Sequence, residues 1–209
     1  RKIVQAPDGK IFIAGEFRTV LGVTRVSLAR LNSDGSLDTS FVPYFNNSGN
    51  LRIESLVVQN DGKVVIGFYG LFGMKRLNTD GSQDTTFVFP LSVSASVVYD
   101  IVITPSGGFM IAGLLGQNQY VVRLNANGTF DNTMTPAQPN GAVNKIQLLG
   151  DGSYYLCGDF TQVGVIFRGR VAKFNADGTL NTVFNPLGGA KAGAFDWKVT
   201  TNGKLVIGG

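Results

Sequence analysis

The sequence predicts an all-β fold, a β-propeller of four-stranded antiparallel blades, and three observations support this prediction. Two different tight-turn motifs alternate along the 209 residues. The 28 Gly and 3 Met form a composition that suits turns between short strands better than long helices. With 44% apolar and 15% charged residues, the chain can fill a core, and this balance disfavours disorder.

The first motif is an apolar segment, a turn that usually contains Asp-Gly or Asn-Gly, and a second apolar segment that ends in Gly. A turn of this kind between two apolar segments predicts a β-hairpin. The turn glycines are separated by 53, 45, 45 and 51 residues. They are Gly9, Gly62, Gly107, Gly152 and Gly203.

The second motif reads Arg-Leu-Asn-x-Asp-Gly and begins at Arg30, Arg76 and Arg123, with Lys173 in place of Arg in the last copy. Its glycines are 46, 47 and 50 residues apart. Asn-x-Asp-Gly suits a type I turn followed by a left-handed Gly, which closes a three-residue hairpin loop. The loop predicts the cross-strand pairs Asn32–Ser36, Leu31–Leu37, Arg30–Asp38, Arg76–Asp84, Arg123–Asp131 and Lys173–Asn181.

Two hairpins in each period of about 50 residues are typical of a propeller blade. The repeat units are approximately 1–52, 53–97, 98–143 and 144–195, with a partial unit at 196–209. About four and a half blades are therefore visible in one repeat domain. Because both ends cut through the repeat, we expect a fragment of a larger propeller. The alternative architecture is a β-solenoid, although solenoid coils are usually shorter.

The alternation of Arg-Leu-Asn-x-Asp-Gly-Ser-x-Asp-x-x-Phe with Val-Gln-x-Asp-Gly-Lys-x-x-x-Gly-Gly-x-Phe resembles the bacterial delta-60 repeat family over essentially the whole chain. Met134 departs from the motif Phe, and the second and third copies lack the acidic-Phe pairs that begin at Glu16 and Asp159. The resemblance implies a propeller-like repeat in large exported or surface proteins of bacteria, and sometimes in phage structural proteins. It brings no catalytic residue to this chain.

The tight turns should share one face of the propeller, and loops of variable length should form the other. Binding usually resides in such loops on a rigid scaffold. The predicted variable loops are 16–25, 42–52, 68–75, 88–97, 114–120, 135–143, 159–170 and 185–195. Their basic and aromatic side chains supply the candidate ligand-binding residues, which are Arg18, Arg25, Tyr44, Phe45, Tyr69, Phe72, Arg168 and Arg170.

A basic surface that carries aromatic rings suits an anionic glycan, a phosphate-rich polymer or an acidic protein surface. Local pairing is the alternative, in which the arginines bind nearby acids and the aromatic rings fill blade junctions. Glu16–Arg25 and Asp159–Arg168 have the same nine-residue separation, and this favours local pairing. Nucleic acid is not expected as a partner because the chain has no basic run or recognised binding motif.

No cofactor, metal or active site is expected. With no His and one Cys, the chain lacks a His-based zinc site, a Ser-His-Asp triad and a disulfide framework. Asn32, Asp34 and Asp38 resemble part of a calcium loop, but the spacing fits an ordinary hairpin turn better. Cys157 is expected in the core. The acids outside the two motifs are not expected to form a glycosidase pair; they are Glu16, Glu54, Asp100, Asp159 and Asp196.

The sequence therefore predicts a non-catalytic interaction or structural module of a larger exported bacterial surface protein, such as an adhesin, or of a phage virion or fibre. It would bind a glycan or protein partner through the variable-loop face, beside neighbouring domains of a longer chain. Alternatives are a polysaccharide-active propeller enzyme, a hydrolase or lyase with its active site in other blades, and a passive spacer. Membrane insertion is not expected, since no run of 18 apolar residues exists.

Overall fold

The computed structural model describes residues 2–45, 51–70, 73–90, 97–116, 119–134, 136, 138–186, 189, 196–200 and 205–208. All regular elements in these ranges are β-strands, so the predicted all-β class is confirmed. No helix in them is long and apolar enough to cross a membrane. The chain divides into two compact units, residues 1–98 with 127–129, and residues 99–126 with 130–209.

The first unit contains the sheets of the first two repeats. The first sheet joins strands β1 (Lys2–Gln5), β2 (Ile11–Ala14) and β5 (Leu28–Leu31) in the order β1-β2-β5. Between β2 and β5, the short strands β3 (Thr19–Val20) and β4 (Val23–Thr24) form a separate hairpin. The second sheet joins β6 (Ile53–Val58), β7 (Val64–Phe68) and β8 (Met74–Leu77). All neighbouring strands run antiparallel.

The second unit contains the remaining repeats, and β9 (Val97–Ile103) begins two residues before it. β9 pairs with β10 (Phe109–Leu114), which pairs with β11 (Val121–Leu124). The fourth repeat joins β12 (Val143–Leu148), β13 (Tyr154–Gly158) and β16 (Val171–Phe174), with β14 (Gln162–Val163) and β15 (Ile166–Phe167) as a separate hairpin. The last two strands, β17 (Asp196–Val199) and β18 (Leu205–Gly208), form the final hairpin.

The glycines of the tight turns adopt the conformation that the motifs predict. Every described turn glycine has a φ between 80° and 91°, a region that L-residues with a side chain rarely adopt. In the second motif, the Asn32 N–H donates to the Ser36 carbonyl, and the Asp38 N–H donates to the Arg30 carbonyl. The predicted register is therefore confirmed. Gly203 lies outside the described residues.

The fourth strand of each blade is much shorter than predicted. After each second-motif turn, a single residue forms an isolated bridge with the preceding strand. The Asp or Asn immediately after the bridging residue begins the next loop, because its side chain accepts the N–H of a residue two or three positions further on. The bridges are Leu31–Leu37, Leu77–Gln83, Leu124–Phe130 and Phe174–Leu180.

This short fourth segment changes the path of the chain between repeats. In the first unit, Val42 and Tyr44 donate backbone hydrogen bonds to the carbonyls of Asp80 and Gly81, so the chain follows the tight turn of the next repeat. The Val88 N–H donates to the Asn127 carbonyl in the same manner. The prediction that the whole of loops 42–52 and 88–97 lies on the variable-loop face is wrong. Because the fourth strand has only one residue, it ends next to the tight turns. The linker, the segment that joins one repeat to the next, therefore begins on that side.

Each unit has its own buried core between its sheets. In the first unit, all five residues of β7 are buried, and Phe12, Phe41 and Phe68 are fully covered. In the second unit, Tyr154, Phe160 and Phe174 are fully buried in one cluster. Cys157 is buried with Val171 and Tyr155, as predicted for a core residue. The sheets are thus rigid supports for the loops that leave their ends.

Candidate functional site

The short hairpin of the first repeat carries exposed apolar side chains away from the sheet. Val20 pairs with Val23, and the two residues between them have positive φ, 49° at Leu21 and 79° at Gly22. Positive φ at both central positions is the signature of a type I′ turn. Leu21 is 71% exposed, and Val23 is exposed beside it. The first hairpin (19–24) therefore presents a small apolar tip.

The short hairpin of the fourth repeat does the same with different residues. Val163 pairs with Ile166, and only Gly164, with a φ of 59°, has positive φ in the turn, as a type II′ turn requires. Val165 is 95% exposed, and Ile166 and Phe167 are also exposed. The second hairpin (162–167) therefore presents three neighbouring apolar side chains to solvent. Apolar groups clustered in this way often mark an interaction surface.

Arg25 and Arg168, two of the predicted ligand-binding residues, are buried. Arg25 Nη1 donates to the Thr24 carbonyl oxygen at 2.8 Å, and Arg168 Nη1 donates to the Phe167 carbonyl oxygen at 2.9 Å. Each guanidinium thus closes the base of its own hairpin, so neither is available on the surface. This outcome agrees with the alternative that the arginines act locally, although they bind backbone carbonyls rather than acids.

The predicted pairing of Asp159 with Arg168 is wrong, because Asp159 contacts Arg170 instead. Arg170 Nη1 lies 3.7 Å from Asp159 Oδ1 and donates to the Asp159 carbonyl at 3.3 Å. Arg170 has a φ of 66°, which turns its side chain back towards Asp159. Arg18 is exposed beside the first hairpin, where its carbonyl accepts the Arg25 N–H.

Tyr69 is an exposed aromatic residue with a positioned cation above it. The Arg52 guanidinium carbon lies 4.7 Å from the centre of the Tyr69 ring, and Glu54 forms an ion pair with Arg52 Nε. The Tyr69 N–H donates to the Arg52 carbonyl, which fixes the two residues together. Tyr69 therefore keeps the accessible position that the sequence predicts for it.

Phe45 and Tyr44, the other aromatic candidates that the structure describes, lie away from Tyr69 in the core or beside a tight turn. Phe45 is buried in the first core, where it packs edge-on against Phe68 at 5.9 Å between ring centres. Tyr44 is exposed, but its N–H is bonded to the Gly81 carbonyl beside a tight turn. Phe72 lies outside the described residues. The predicted basic and aromatic surface therefore loses Arg25, Phe45 and Arg168, which are buried.

The acids of the second motif form buried structural networks. Asp38 Oδ2 accepts hydrogen bonds from Arg30 Nε at 2.8 Å and Lys10 Nζ at 2.6 Å, while Oδ1 accepts the Ser40 hydroxyl. Burial favours the neutral acid, but these bonds outweigh it and hold the pKa of Asp38 well below 3.8. In the second repeat, burial likewise opposes the hydrogen bonds from Lys63 and Thr86, which still hold the pKa of Asp84 well below 3.8.

The other acidic residues are also committed to local contacts. Asp34 Oδ1 accepts both the N–H and the hydroxyl of Ser36 within its turn. Asp100 Oδ2 accepts the Ile146 N–H, and Glu54 pairs with Arg52. Within the described ranges, no group of three or more Cys, Asp or Glu side chains is placed to hold a metal ion. The side chain of Asp196 is not among those described.

The hairpin tips are not among the predicted ligand-binding residues, since those are all basic or aromatic. A usable signal was present in Val20-Leu21-Gly22-Val23 and Val163-Gly164-Val165-Ile166. In each, two central residues that include a Gly are flanked by β-branched residues, and this pattern predicts a two-residue hairpin within a variable loop. An apolar residue beside that Gly has no core to enter, so it must be exposed.

The fold and its repeated sheets define this protein as a β-propeller repeat protein. The chain belongs to the family described as domain of unknown function (DUF5122) beta-propeller, whose model matches residues 6–41, 59–87, 111–133 and 149–184. The matched segments cover more than half of the chain and fall one in each repeat. They support the predicted resemblance at the level of a propeller repeat family. A comparison with curated proteins finds no match.

Solved propeller-like structures share the fold at low sequence identity. The extracellular domain of BT4673 from B. thetaiotaomicron has a TM-score of 0.61 and 15% identity, covering 99% of this chain and 25% of that one. Virginiamycin B lyase from Staphylococcus aureus has a TM-score of 0.64 and 15% identity, covering 98% of this chain and 61% of that one. A catalytically inactive His-to-Ala variant of that lyase with quinupristin has a TM-score of 0.63 and 12% identity, covering 98% and 68%. The chain thus spans a quarter of one solved protein and well over half of the others.

Proposed function

We propose that this chain is a non-catalytic interaction module of a larger exported bacterial surface protein, or of a phage virion or fibre. The apolar tip of each short hairpin, supported by a rigid sheet of its own unit, is by itself a contact site for a protein partner. The observation that carries this proposal is Leu21, an exposed leucine held at a φ of 49°.

Leu21 is an unfavourable choice for its position on local grounds. The left-handed conformation costs a leucine roughly 1–2 kcal/mol, whereas Asn tolerates it well in a type I′ turn. An exposed side chain also gains no burial energy to offset this cost. A residue type that is unfavourable for its backbone conformation, and that gains no stability from packing, is expected at a binding site. Contact with a partner would supply the missing burial.

The second hairpin supports the same function with a larger apolar area. Val165, Ile166 and Phe167 are consecutive and exposed, and Arg168 anchors the strand immediately after them. A protein partner that covers aliphatic and aromatic side chains would desolvate them at about 25 cal/mol per Å² of apolar area. Glycans and phosphate-rich polymers have few apolar groups that could pack against these aliphatic side chains.

Site-specific photo-crosslinking tests this proposal with a matched pair of positions. Val165 and Val183 are both exposed, at 95% and 92%, but Val183 lies after a tight turn rather than on a hairpin. A benzoylphenylalanine at each position, in the full-length parent protein in its producing cells, should yield a defined protein adduct only from position 165. Substitution of Phe167 by Ser, on the same hairpin, should weaken the adduct's formation. Identical adduct patterns from both positions, or none from either, would contradict the proposal.

A glycan is the second candidate ligand, and Tyr69 favours it. An exposed ring with a guanidinium 4.7 Å away and a nearby carboxylate combines a stacking surface with charged hydrogen-bonding groups. A glycan array with the parent protein and its Tyr69→Ala variant tests this candidate. The Tyr44→Ala variant is the control, since Tyr44 is similarly exposed beside a tight turn. Binding that survives in Tyr69→Ala would reject this site.

The absence of histidine supports a non-catalytic role over an enzymatic one. The chain has no His, the side chain that most often serves as a general acid or base at neutral pH. The alternative remains a polysaccharide-active hydrolase or lyase with its active site in other blades. A passive spacer is the third possibility. Turnover of a polysaccharide by the parent protein would favour the enzyme, while the absence of any adduct or glycan would favour the spacer.

Two considerations support an exported location. The chain shares its fold with an extracellular domain from B. thetaiotaomicron, and the resemblance to delta-60 repeats implies exported bacterial proteins. Fractionation of producing cells, with detection of the parent protein on intact cells or in virions, tests the location. Recovery only from the cytoplasm of bacteria without phage would contradict it.

A further inference from the structure

The second hairpin (162–167) belongs to a small sheet that has a third member from the linker before β12. Gln162 of β14 lies directly opposite Phe167 of β15. On the other side of β14, Pro139 forms a bridge with Val163. The Asn140 N–H donates to the Gln162 carbonyl at 2.9 Å. The order across this sheet is therefore 139–140, β14 and β15, and all of it lies within the second unit.

The edge of β14 that faces the linker is fully bonded. Asn140 Oδ1 accepts the Thr161 N–H at 2.8 Å and the Gln162 N–H at 2.9 Å. Its Nδ2 donates to the Thr161 hydroxyl at 3.0 Å. Both main-chain polar groups of Gln162 are thus bonded to Asn140, on the side away from β15.

Phe167 carries the same two main-chain groups at the opposite edge of the hairpin. In an antiparallel pair, residues directly opposite each other either bond to each other or both direct their polar groups outwards. Because Gln162 bonds away from β15, Phe167 directs its N–H and carbonyl away from β14. The carbonyl accepts Arg168 Nη1 at 2.9 Å and keeps a second lone pair. The N–H donates to no acceptor among the described residues.

Apolar side chains surround this open edge. Phe167 is 56% exposed and shares its face of the hairpin with the exposed Gln162, whereas Val163 on the other face is buried. Val165 is exposed at the turn. Natural proteins protect exposed edge strands with charged residues, proline or a covering segment, since such an edge readily pairs with another chain. The residues from Val165 to Phe167 include neither a charge nor a proline.

We propose that a protein partner binds this edge by strand addition, so that an extended segment of the partner becomes the next strand beside β15. A main-chain carbonyl of the segment accepts the Phe167 N–H, and one of its N–H groups donates to the Phe167 carbonyl. A β-branched or aromatic residue of the segment lies opposite Phe167, because such cross-strand pairs are stabilising. The inference rests on the proposed function and specifies the mode of recognition at the second hairpin.

Two features favour an extended segment over a helix or a flat apolar surface. The linker 139–140 already binds the opposite edge of this hairpin through main-chain hydrogen bonds. A partner that covered the Phe167 ring without offering an acceptor would bury the Phe167 N–H unbonded, which is costly. The added strand is short, since Gly189 lies against the main chain of Gly169 and limits the edge there.

Peptides with altered main chains test the strand addition. Linear nine-residue peptides are selected on the full-length parent protein from a random phage-displayed library, and those whose binding depends on Phe167 are synthesised with single N-methyl groups. Binding should be weakened by methylation at every second residue, because alternate N–H groups of a strand face away from its neighbour. Selected peptides without this alternation would overturn the inference. So would a selection that yields no peptide dependent on Phe167.

Two substitutions of Phe167 separate the main chain from the ring. Phe167→Ala removes the ring and keeps the N–H, whereas Phe167→Pro removes both. We expect similar Tm values, since an edge strand tolerates proline where the N–H is unbonded. Phe167→Pro should bind the selected peptides at least about tenfold more weakly than Phe167→Ala. Equal peptide affinities of the two variants would refute the main-chain contact.

Ile166→Pro is the control for the edge, because the Ile166 N–H faces β14 and its loss should lower the Tm. The N-methyl series is decisive even if Phe167→Pro does not fold. The crosslinking experiment at Val165 distinguishes this inference from the proposed function. A defined adduct from Val165 without alternation in the N-methyl series would overturn strand addition and leave protein binding in place. The absence of an adduct would contradict protein binding itself.

Discussion

At the scale of single residues, Asp38 and Asp84 belong to a polar turn motif, yet both carboxylates are buried in hydrogen-bonded networks. Each carboxylate receives an arginine from the adjoining strand and a lysine from the first turn of the same repeat. The pairs were expected to set strand register, and they do lie at the predicted positions. Their burial makes them more important for stability than exposed pairs would be.

Replacing Asp38 by Asn should destabilise the protein by about 3 kcal/mol, because Arg30 and Lys10 lose their shared counter-ion in a buried site. Urea unfolding at neutral pH measures the change. Asp131→Asn is the matched control, with an expected loss of about 1 kcal/mol, since Asp131 pairs with Arg123 alone and is less covered. Equal losses in the two variants would contradict the role of the lysine.

Gly81 and Gly35 occupy the same turn position but differ in their surroundings. Both have a φ near 90°, whereas a Cβ at Gly81 would lie 2.4 Å from the Val42 carbonyl oxygen and one at Gly35 would meet nothing within 4 Å. Gly35→Ala should cost about 1 kcal/mol from backbone strain alone. Gly81→Ala should cost about 2 kcal/mol more, because the linker must move. Denaturant titration of the two variants compares them, and equal losses would refute the linker contact.

At the scale of elements, the short hairpins and the fourth strands behave differently from what their sequences predict. The fourth strand ends after one bridge because Asp38 and its counterparts bond to the backbone two residues ahead. The hairpins of the first and fourth repeats arise inside loops, where Gly22 and Gly164 permit a two-residue turn. Loops of this kind add function without disturbing the sheets that support them.

Leu21→Asn should stabilise the first hairpin by about 0.5–1 kcal/mol, since Asn adopts the left-handed conformation at lower cost. The measurement is the free energy of unfolding in urea. Val23→Asn is the control, because Val23 is also exposed but lies in a strand, where Asn is disfavoured. A loss of stability in Leu21→Asn would show that the leucine has a structural role and weaken the proposal for binding.

At the scale of the whole molecule, the carboxylates make stability depend on pH. Hydrogen bonds from Ser36 and Thr179 lower the pKa of the turn acids Asp34 and Asp177, and the buried pairs lower those of Asp38 and Asp84 further. A folded-state pKa below 3.8 means that the unfolded chain binds protons first as the pH falls. The stabilisation is therefore complete above about pH 5 and is lost as the pH falls below about 4.

Urea unfolding at a series of pH values from about 7 to 2.5 tests this expectation. The free energy of unfolding should be constant down to about pH 5 and then decrease steadily. In the Asp38→Asn, Asp84→Asn double variant, the decrease should be smaller, since the two most strongly shifted groups no longer titrate. A wild-type stability that is independent of pH down to 2.5 would contradict the buried networks.

The class of fold and the register of every described tight turn could be predicted from local sequence patterns alone. A turn depends on contacts among four or five neighbouring residues, so Asn32, Asp34, Gly35 and Ser36 carry enough information to specify it. The positions of Leu31 opposite Leu37 and of Arg30 opposite Asp38 follow from the same turn. The propeller family follows because this local pattern recurs through the chain.

Which side chains are exposed for binding depends on the packing of the folded chain and could not be predicted from the sequence. Arg25, Phe45 and Arg168 are buried, while Leu21 and Val165 are exposed, and nothing in the residue types distinguishes these outcomes. The same holds for Tyr154, whose hydroxyl is left without a partner by the packing of neighbouring strands. Burial depends on residues far apart in the chain that close over one another, whereas a turn is complete within itself.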